Sequence, residues 1–146
     1  MKIVIQLLMA AVGSLGFSML FNVRSKYLLL ASVGGLVSWA IYLVCHDFGA
    51  GLFLSSFFAS VFCQSYAEVF SRVCKAPRTI FSIAAVVPLI PGSSLYYTMQ
   101  SATMSDWAEF SRRGLELGYF ALGIAAGLSL ITALVTMHSN IKNSAK

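Results

Sequence analysis

The stretch Pro88-Leu89-Ile90-Pro91-Gly92-Ser93-Ser94-Leu95-Tyr96-Tyr97 constrains this chain more than any other. It lies inside a charge-free run from Thr79 to Ser105, longer than the roughly 20 residues that a membrane-spanning helix needs. Two prolines and a glycine inside such a run predict a broken helix. Pro88 has no N–H for the Ala84 carbonyl and Pro91 has none for the Val87 carbonyl. Irregular backbone at membrane depth survives only where protein covers it or a wet cavity receives it. Beyond the break, Gly92, Ser93 and Ser94 are expected to present free N–H groups at the start of a second half-helix. That end carries a partial positive charge, and transporters use such half-helix ends to receive anionic groups.

The rest of the chain reads as a setting for that break. Hydrophobic residues make up 58% and charged residues 10%, against about 25% charged in soluble domains. Further charge-free runs cover Ile3–Val23, Tyr27–His46, Phe48–Ala67 and Leu117–Ile141. The fold class is therefore an all-α integral membrane protein. It is a single transmembrane domain, 1–146, of about five helices near 3–22, 27–45, 50–68, 78–104 (broken at 88–92) and 117–138. The formal charge of +5 is scattered around helix ends, which suits a lipid bilayer and not a nucleic-acid partner. Cys45, Cys63 and Cys74 have no metal or disulfide spacing and read as small packing residues. No pattern calls for a cofactor.

Taken in order, Met1-Lys2 and the apolar run after them resemble a signal peptide with a cleavage site near Ala11-Val12-Gly13. The apolar run continues to Phe21, which favours a retained first helix. Helix two carries Ala31, Gly34, Gly35 and Ser38, a close-packing face of small residues. His46-Asp47 reads as a solvated turn. Helix three ends in a basic segment where Glu68 and Arg72, four apart, can pair. Such a pair is either an ordinary surface ion pair or a gate at the cytoplasmic mouth of a cavity. After the broken span, Asp106-Trp107-Ala108-Glu109 is expected to open a short amphipathic helix in the membrane interface. Asp106 would be its N-cap, with Glu109 reaching back. The last helix holds Gly123 and Gly127 in a GxxxG arrangement, a signal for tight helix contact.

Counting Lys and Arg gives an orientation. Arg24, Lys26, Arg72, Lys75, Arg78, Lys142 and Lys146 fall on one side of a five-span chain, and Lys2, Arg112 and Arg113 on the other. The C-terminus is then cytoplasmic and the N-terminus outside.

Several residues carry a family likeness. Gly16-Phe17-Ser18-Met19-Leu20-Phe21-Asn22-Val23, then Ser71-Arg72 with Pro77 and Phe81, and above all Pro88-Leu89-Ile90-Pro91-Gly92 followed by Tyr96, resemble the bacterial threonine/serine exporter family in its small-subunit type. The resemblance spans nearly the whole chain. It implies export of threonine, serine or a dicarboxylate such as succinate across the bacterial inner membrane, together with a larger subunit of the same family. Elsewhere in the family the two halves are similar to parts of one ten-span chain. Two units with odd span number would pair with inverted topology, and a homo-oligomer stays open.

Three function classes can be weighed on residues alone. An enzyme would need a nucleophile with a base in reach, and His46 and His138 lie at helix ends, while Gly92-Ser93-Ser94 lacks a nucleophile-elbow pattern. A non-transporting assembly subunit is the alternative, because a proline break can also be a packing kink. The leading expectation is a transporter subunit. Its solute carboxylate would be held by Gly92, Ser93 and Ser94, with Tyr96 and Tyr97 as further hydroxyl donors.

Overall fold

The computed structural model describes residues 2–144. Lys146 lies outside the described residues, as do the side chains of Lys2, His138 and Lys142. The helices are α1 (Lys2–Leu20), α2 (Ser25–Asp47), α3 (Gly51–Cys74), α4 (Arg78–Val86), α5 (Gly92–Thr103) and α6 (Trp107–Ser144). A single 3-10 turn, Val87–Leu89, follows α4. No strand occurs among the described residues. α1, α2, α3 and α6 are each long and apolar enough to cross a membrane. The α4 segment and α5, bent by 54° at the expected place, are together long and apolar enough for a fifth crossing if they count as one span.

Four helices stop in the same way. Asn22, Gly49, Lys75 and Ser105 adopt positive φ just past α1, α2, α3 and α5. The next residue's N–H then folds back five positions: Val23 to Ser18, Ala50 to Cys45, Ala76 to Ser71 and Asp106 to Ser101, all at 3.0–3.1 Å. This is the Schellman arrangement, which satisfies carbonyls that a helix end would leave bare. It keeps every connection short and turns each helix back on its predecessor.

α3 is the central element, flanked by α2, α4 and α6, with α1 outside α2. Its buried face is made of Ser55, Ser56, Ala59, Ser60, Cys63 and Ala67. Lipid is as apolar as a leucine side chain, so burial of large hydrophobes does not drive helices together in a membrane; close packing does. The GxxxG face of α6 meets this stripe. A Cβ on Gly123 would lie 2.5 Å from the Phe53 carbonyl and collide with Ser56 Oγ, and one on Gly127 would lie 2.7 Å from the Phe57 carbonyl and collide with Ser60 Oγ. Ser60 Oγ also donates to the Gly123 carbonyl at 3.3 Å. Large side chains such as Leu20, Leu29 and Phe48 point outward.

One expected element is absent. The short interfacial helix over 106–116 and the span over 117–138 are one continuous helix, α6, of 38 residues. Asp106 does cap it, accepting the Glu109 N–H at 3.1 Å. Glu109 does not reach back. Its carboxylate takes Arg112 Nε and Nη2 at 2.9 and 2.7 Å and Arg113 Nε at 2.6 Å, pairs that hold the charged turns in helical form.

Candidate functional site

The break is a short sequence of tight turns. After Val86 the helix tightens to the 3-10 turn, and the Ile90 N–H donates to the Val87 carbonyl at 3.2 Å. The Val87 carbonyl, expected to be free, is therefore engaged. Pro91 sits at φ −78° and ψ 60°, the geometry of an inverse γ-turn, and the Gly92 N–H closes that turn on the Ile90 carbonyl at 2.8 Å. This also corrects the expectation that Gly92 offers a free donor. α5 then begins with no side-chain cap, and Leu95 makes the first backward bond, to the Pro91 carbonyl at 3.0 Å. Ser93 and Ser94 are left as the amide donors of this half-helix start.

The inner side of the break is locked by residues that the sequence reading did not single out for this role. Tightening to 3-10 geometry removes the α-helical partner of the Ala85 carbonyl. Ser38 Oγ from α2 donates to it at 2.7 Å, and Cys63 Sγ from α3 lies 3.3 Å away. Ala85, Ser38 and Cys63 are fully buried. Gly35 admits two neighbours at once: a Cβ there would stand 3.2 Å from Pro88 Cγ and 2.6 Å from Ser14 Cβ. Ser14 is fully buried and its hydroxyl has no partner among the described residues. Pro88 also forms the floor of a groove of about 280 Å³ with Gln6, Met9, Ala10 and Trp39, and the Trp39 indole nitrogen is likewise buried without an acceptor.

The outer side is open. Gly92 and Ser93 are exposed, and a Cβ on Gly92 would meet nothing within 4 Å. Tyr96 and Tyr97 are 63% and 48% exposed. Their rings meet edge to face, centroids 5.3 Å apart. Only one face of α5 is buried, through Thr98 and Ser101. Within this chain the five expected binding residues thus share one short helix without closing around a solute. Tyr97 is the one that meets ionised groups: the Arg113 guanidinium lies over its ring at 5.2 Å. Together with Gln100, Ser101, Met104, Asp106 and Glu109 these two residues line a cavity of about 400 Å³.

The expected Glu68–Arg72 ion pair is formed. Arg72 donates to one Glu68 oxygen through Nε at 3.0 Å and Nη2 at 2.7 Å. Arg78 at the start of α4 stands 3.8 Å from the other oxygen. Glu68 therefore ties α3 to the entry of the broken span. A groove of about 370 Å³ runs beside the pair between α3 and α6.

A second polar assembly lies deeper. Gln64 of α3 accepts from Ser82 Oγ of α4 at 2.8 Å and donates to Thr132 Oγ1 of α6 at 3.1 Å. Thr132 passes its own proton to the Leu128 carbonyl at 2.8 Å. Gln64 is nearly buried, so one side chain links three helices inside the bundle. Its signal in the sequence was an amide within the charge-free run Phe48–Ala67, since a polar group there must find partners on other helices.

The family described as Threonine/Serine exporter, ThrE, matches residues 6–134, most of the chain and all of the broken span. The chain belongs to the threonine/serine exporter family. No solved structure matches it. As a threonine/serine exporter family member it is a multi-pass membrane protein, and the family's activity is transport rather than catalysis. The match agrees with the resemblance carried by Pro88-Leu89-Ile90-Pro91-Gly92. For this exporter-family chain, the inner lock on Ala85 and the open outer face of Gly92–Tyr97 are two sides of one element.

Proposed function

We propose that this chain is the small subunit of a secondary exporter in the bacterial inner membrane. Its cargo is small carboxylate-bearing metabolites, threonine and serine foremost, with dicarboxylates such as succinate as the neighbouring class. It works with a larger subunit of the same family, its N-terminus outside and its C-terminus in the cytoplasm. The observation that carries this reading is the uncapped start of α5 within the broken span, where Gly92 and Ser93 are exposed, away from the chain's own bundle, and Ser94 is partly exposed. Amide donors at such a helix start favour a carboxylate without a fixed charge. A low-dielectric setting strengthens that preference. Ser93, Ser94, Tyr96 and Tyr97 supply hydroxyls on the same side of the break. The open space beyond Gly92 is where the larger subunit completes the site. Glu68, with Arg72 and Arg78, acts as the cytoplasmic gate.

The openness of Gly92 equally suits a second reading, in which this face is an assembly surface and the chain transports nothing itself. One experiment separates the two. Efflux of threonine, serine and succinate is followed in cells producing both subunits, with Gly92→Val in the small one. The transport reading expects efflux to fall by about tenfold or more while the complex is recovered at normal abundance, because a β-branched residue crowds the approach of a ligand to the backbone. Unchanged efflux at normal abundance removes the site. Loss of the complex itself favours the assembly reading.

A further inference from the structure

The α1–α2 and α3–α4 connections lie at one end of the bundle and leave it unbalanced in charge. Arg24 and Lys26 belong to the first, and Arg72, Lys75 and Arg78 to the second, against the single carboxylate of Glu68 among the described residues there. The two connections are held together. The Tyr27 hydroxyl donates to the Cys74 carbonyl at 2.9 Å, and its ring meets Phe81 edge to face with centroids 5.7 Å apart. Val23 and Ala76 pack on the same apolar cluster. Glu68 does not neutralise this end. Arg72 holds it at hydrogen-bond distance, whereas Arg78 stands at 3.8 Å. Arg24 forms no ion pair among the described residues.

Beside these connections a groove of about 180 Å³ lies between α1 and α4. Ser18, Phe21 and Val23 give one wall, and Thr79, Ile83 and Ala84 the other. Each wall reaches the bundle end next to an arginine: Arg24 follows Val23, and Arg78 precedes Thr79. Both arginines and Thr79 are exposed. Deeper in, the lining is apolar in character, because Ser18 spends its hydroxyl on the Ser14 carbonyl at 2.6 Å. From Thr79 to Ala84 the α4 wall runs about 7–8 Å along the helix. Phe21 and Ile83 are 59% and 44% exposed, so the groove is open on its flank. α4 also starts without a side-chain cap, which adds amide donors at the level of the two arginines.

A slot that is cationic at its mouth and apolar along the helix direction has the layering of a phospholipid. A water-soluble anion would meet the arginines and leave the apolar slot bare. A lipid without net charge would fill the slot and leave the arginines uncompensated. We propose that the α1–α4 groove binds an anionic glycerophospholipid, with one acyl chain in the groove and the phosphate at Arg24 and Arg78. The site is separate from Gly92–Ser94 and holds whichever side of the membrane this end of the bundle faces. Because α4 is one of its walls, the bound lipid braces the first half of the broken span.

The test is native mass spectrometry of the delipidated full chain in detergent, titrated with dioleoyl phosphatidylglycerol, dioleoyl phosphatidylcholine and sn-glycerol 3-phosphate. Phosphatidylglycerol should bind saturably, and phosphatidylcholine with the same chains about tenfold more weakly or worse, since two cations each favour an anionic head. Glycerol phosphate, an anion without chains, should not bind over the same concentrations. Arg24→Gln and Arg78→Gln should each weaken phosphatidylglycerol about fivefold. Ile83→Trp, which fills the groove and keeps both arginines, should weaken it by about tenfold, as the loss of two buried methylenes would. The three-ligand comparison uses the unaltered chain, so the test holds even where a variant folds poorly. Equal binding of phosphatidylcholine would overturn the charge recognition, and binding of glycerol phosphate as tight as that of phosphatidylglycerol would replace the lipid by a free phosphate. Arginine variants that bind like the original would remove the assigned head site. An Ile83→Trp chain that binds like the original would reduce the effect to diffuse surface charge and overturn the groove.

Discussion

At the scale of single residues, the break is held by two small side chains on one carbonyl. Ser38 Oγ donates to the Ala85 carbonyl at 2.7 Å, and Cys63 Sγ is the second group on it at 3.3 Å. Either group alone leaves the oxygen with a partner. Ser38→Ala or Cys63→Ala should therefore each cost about 1 kcal/mol or less, in line with net hydrogen-bond contributions. The double variant strands a buried acceptor and should cost about 1–3 kcal/mol, more than the two single effects added. Unfolding of the full chain in mixed micelles measures this, and strict additivity would show that the carbonyl finds another donor. This lock was not legible beforehand. The sequence reading placed the freed carbonyls at Ala84 and Val87 because it counted back four residues from each proline. The tightening to a 3-10 turn engaged the Val87 carbonyl and put a further demand on Ala85, and that depends on how Pro88 seats against Gly35.

Among the elements, the seam between α3 and α6 depends on missing side chains. Gly127 has the Phe57 carbonyl 2.7 Å from its would-be Cβ, whereas a Cβ on Gly118 meets nothing within 4 Å. The same substitution should then have opposite signs about two and a half turns apart on one helix. Gly127→Ala should destabilise by about 1–3 kcal/mol through overpacking. Gly118→Ala should be neutral or stabilise by up to about 1 kcal/mol through helix propensity. Thermal unfolding of both variants checks the contrast, and equal effects would mean that α3 shifts freely. The GxxxG face could be read in advance because its spacing is local. Its partner could not: the stripe Ser56–Ser60 looks like any polar interruption until α6 lies on it. The misplaced boundary at 116 has a similar cause. Charged residues from Glu109 to Glu116 were taken as the end of one helix, but charges do not stop a helix; Gly114 alone is too weak a breaker, and the Glu109 pairs with Arg112 and Arg113 support continuation.

For the whole molecule, the topology is the property on which the proposed pairing with a larger subunit turns. If α4 and α5 count as one bent crossing, the chain begins and ends on opposite sides. A cysteine placed beside Asp47 should be labelled by an impermeant reagent from outside intact cells, and one beside Lys75 should not. Labelling at Lys75 would overturn the five-crossing arrangement and with it the inverted pairing of two such units. The bend was legible because proline chemistry is written in single residues. The openness of its outer face was not, because it depends on how α5 sits against α6. The 38 residues of α6 carry one more consequence. At 1.5 Å per residue such a helix is about 57 Å long, against a hydrocarbon layer of about 30 Å. No tilt seen in ordinary bilayers hides that difference. α6 therefore stands in the membrane like a mast stepped through a deck. Its apolar length from Leu117 onward sets the depth, and the Arg112–Glu116 end is carried above the waterline, where the thickness of the surrounding lipid decides how far the α5–α6 passage meets water.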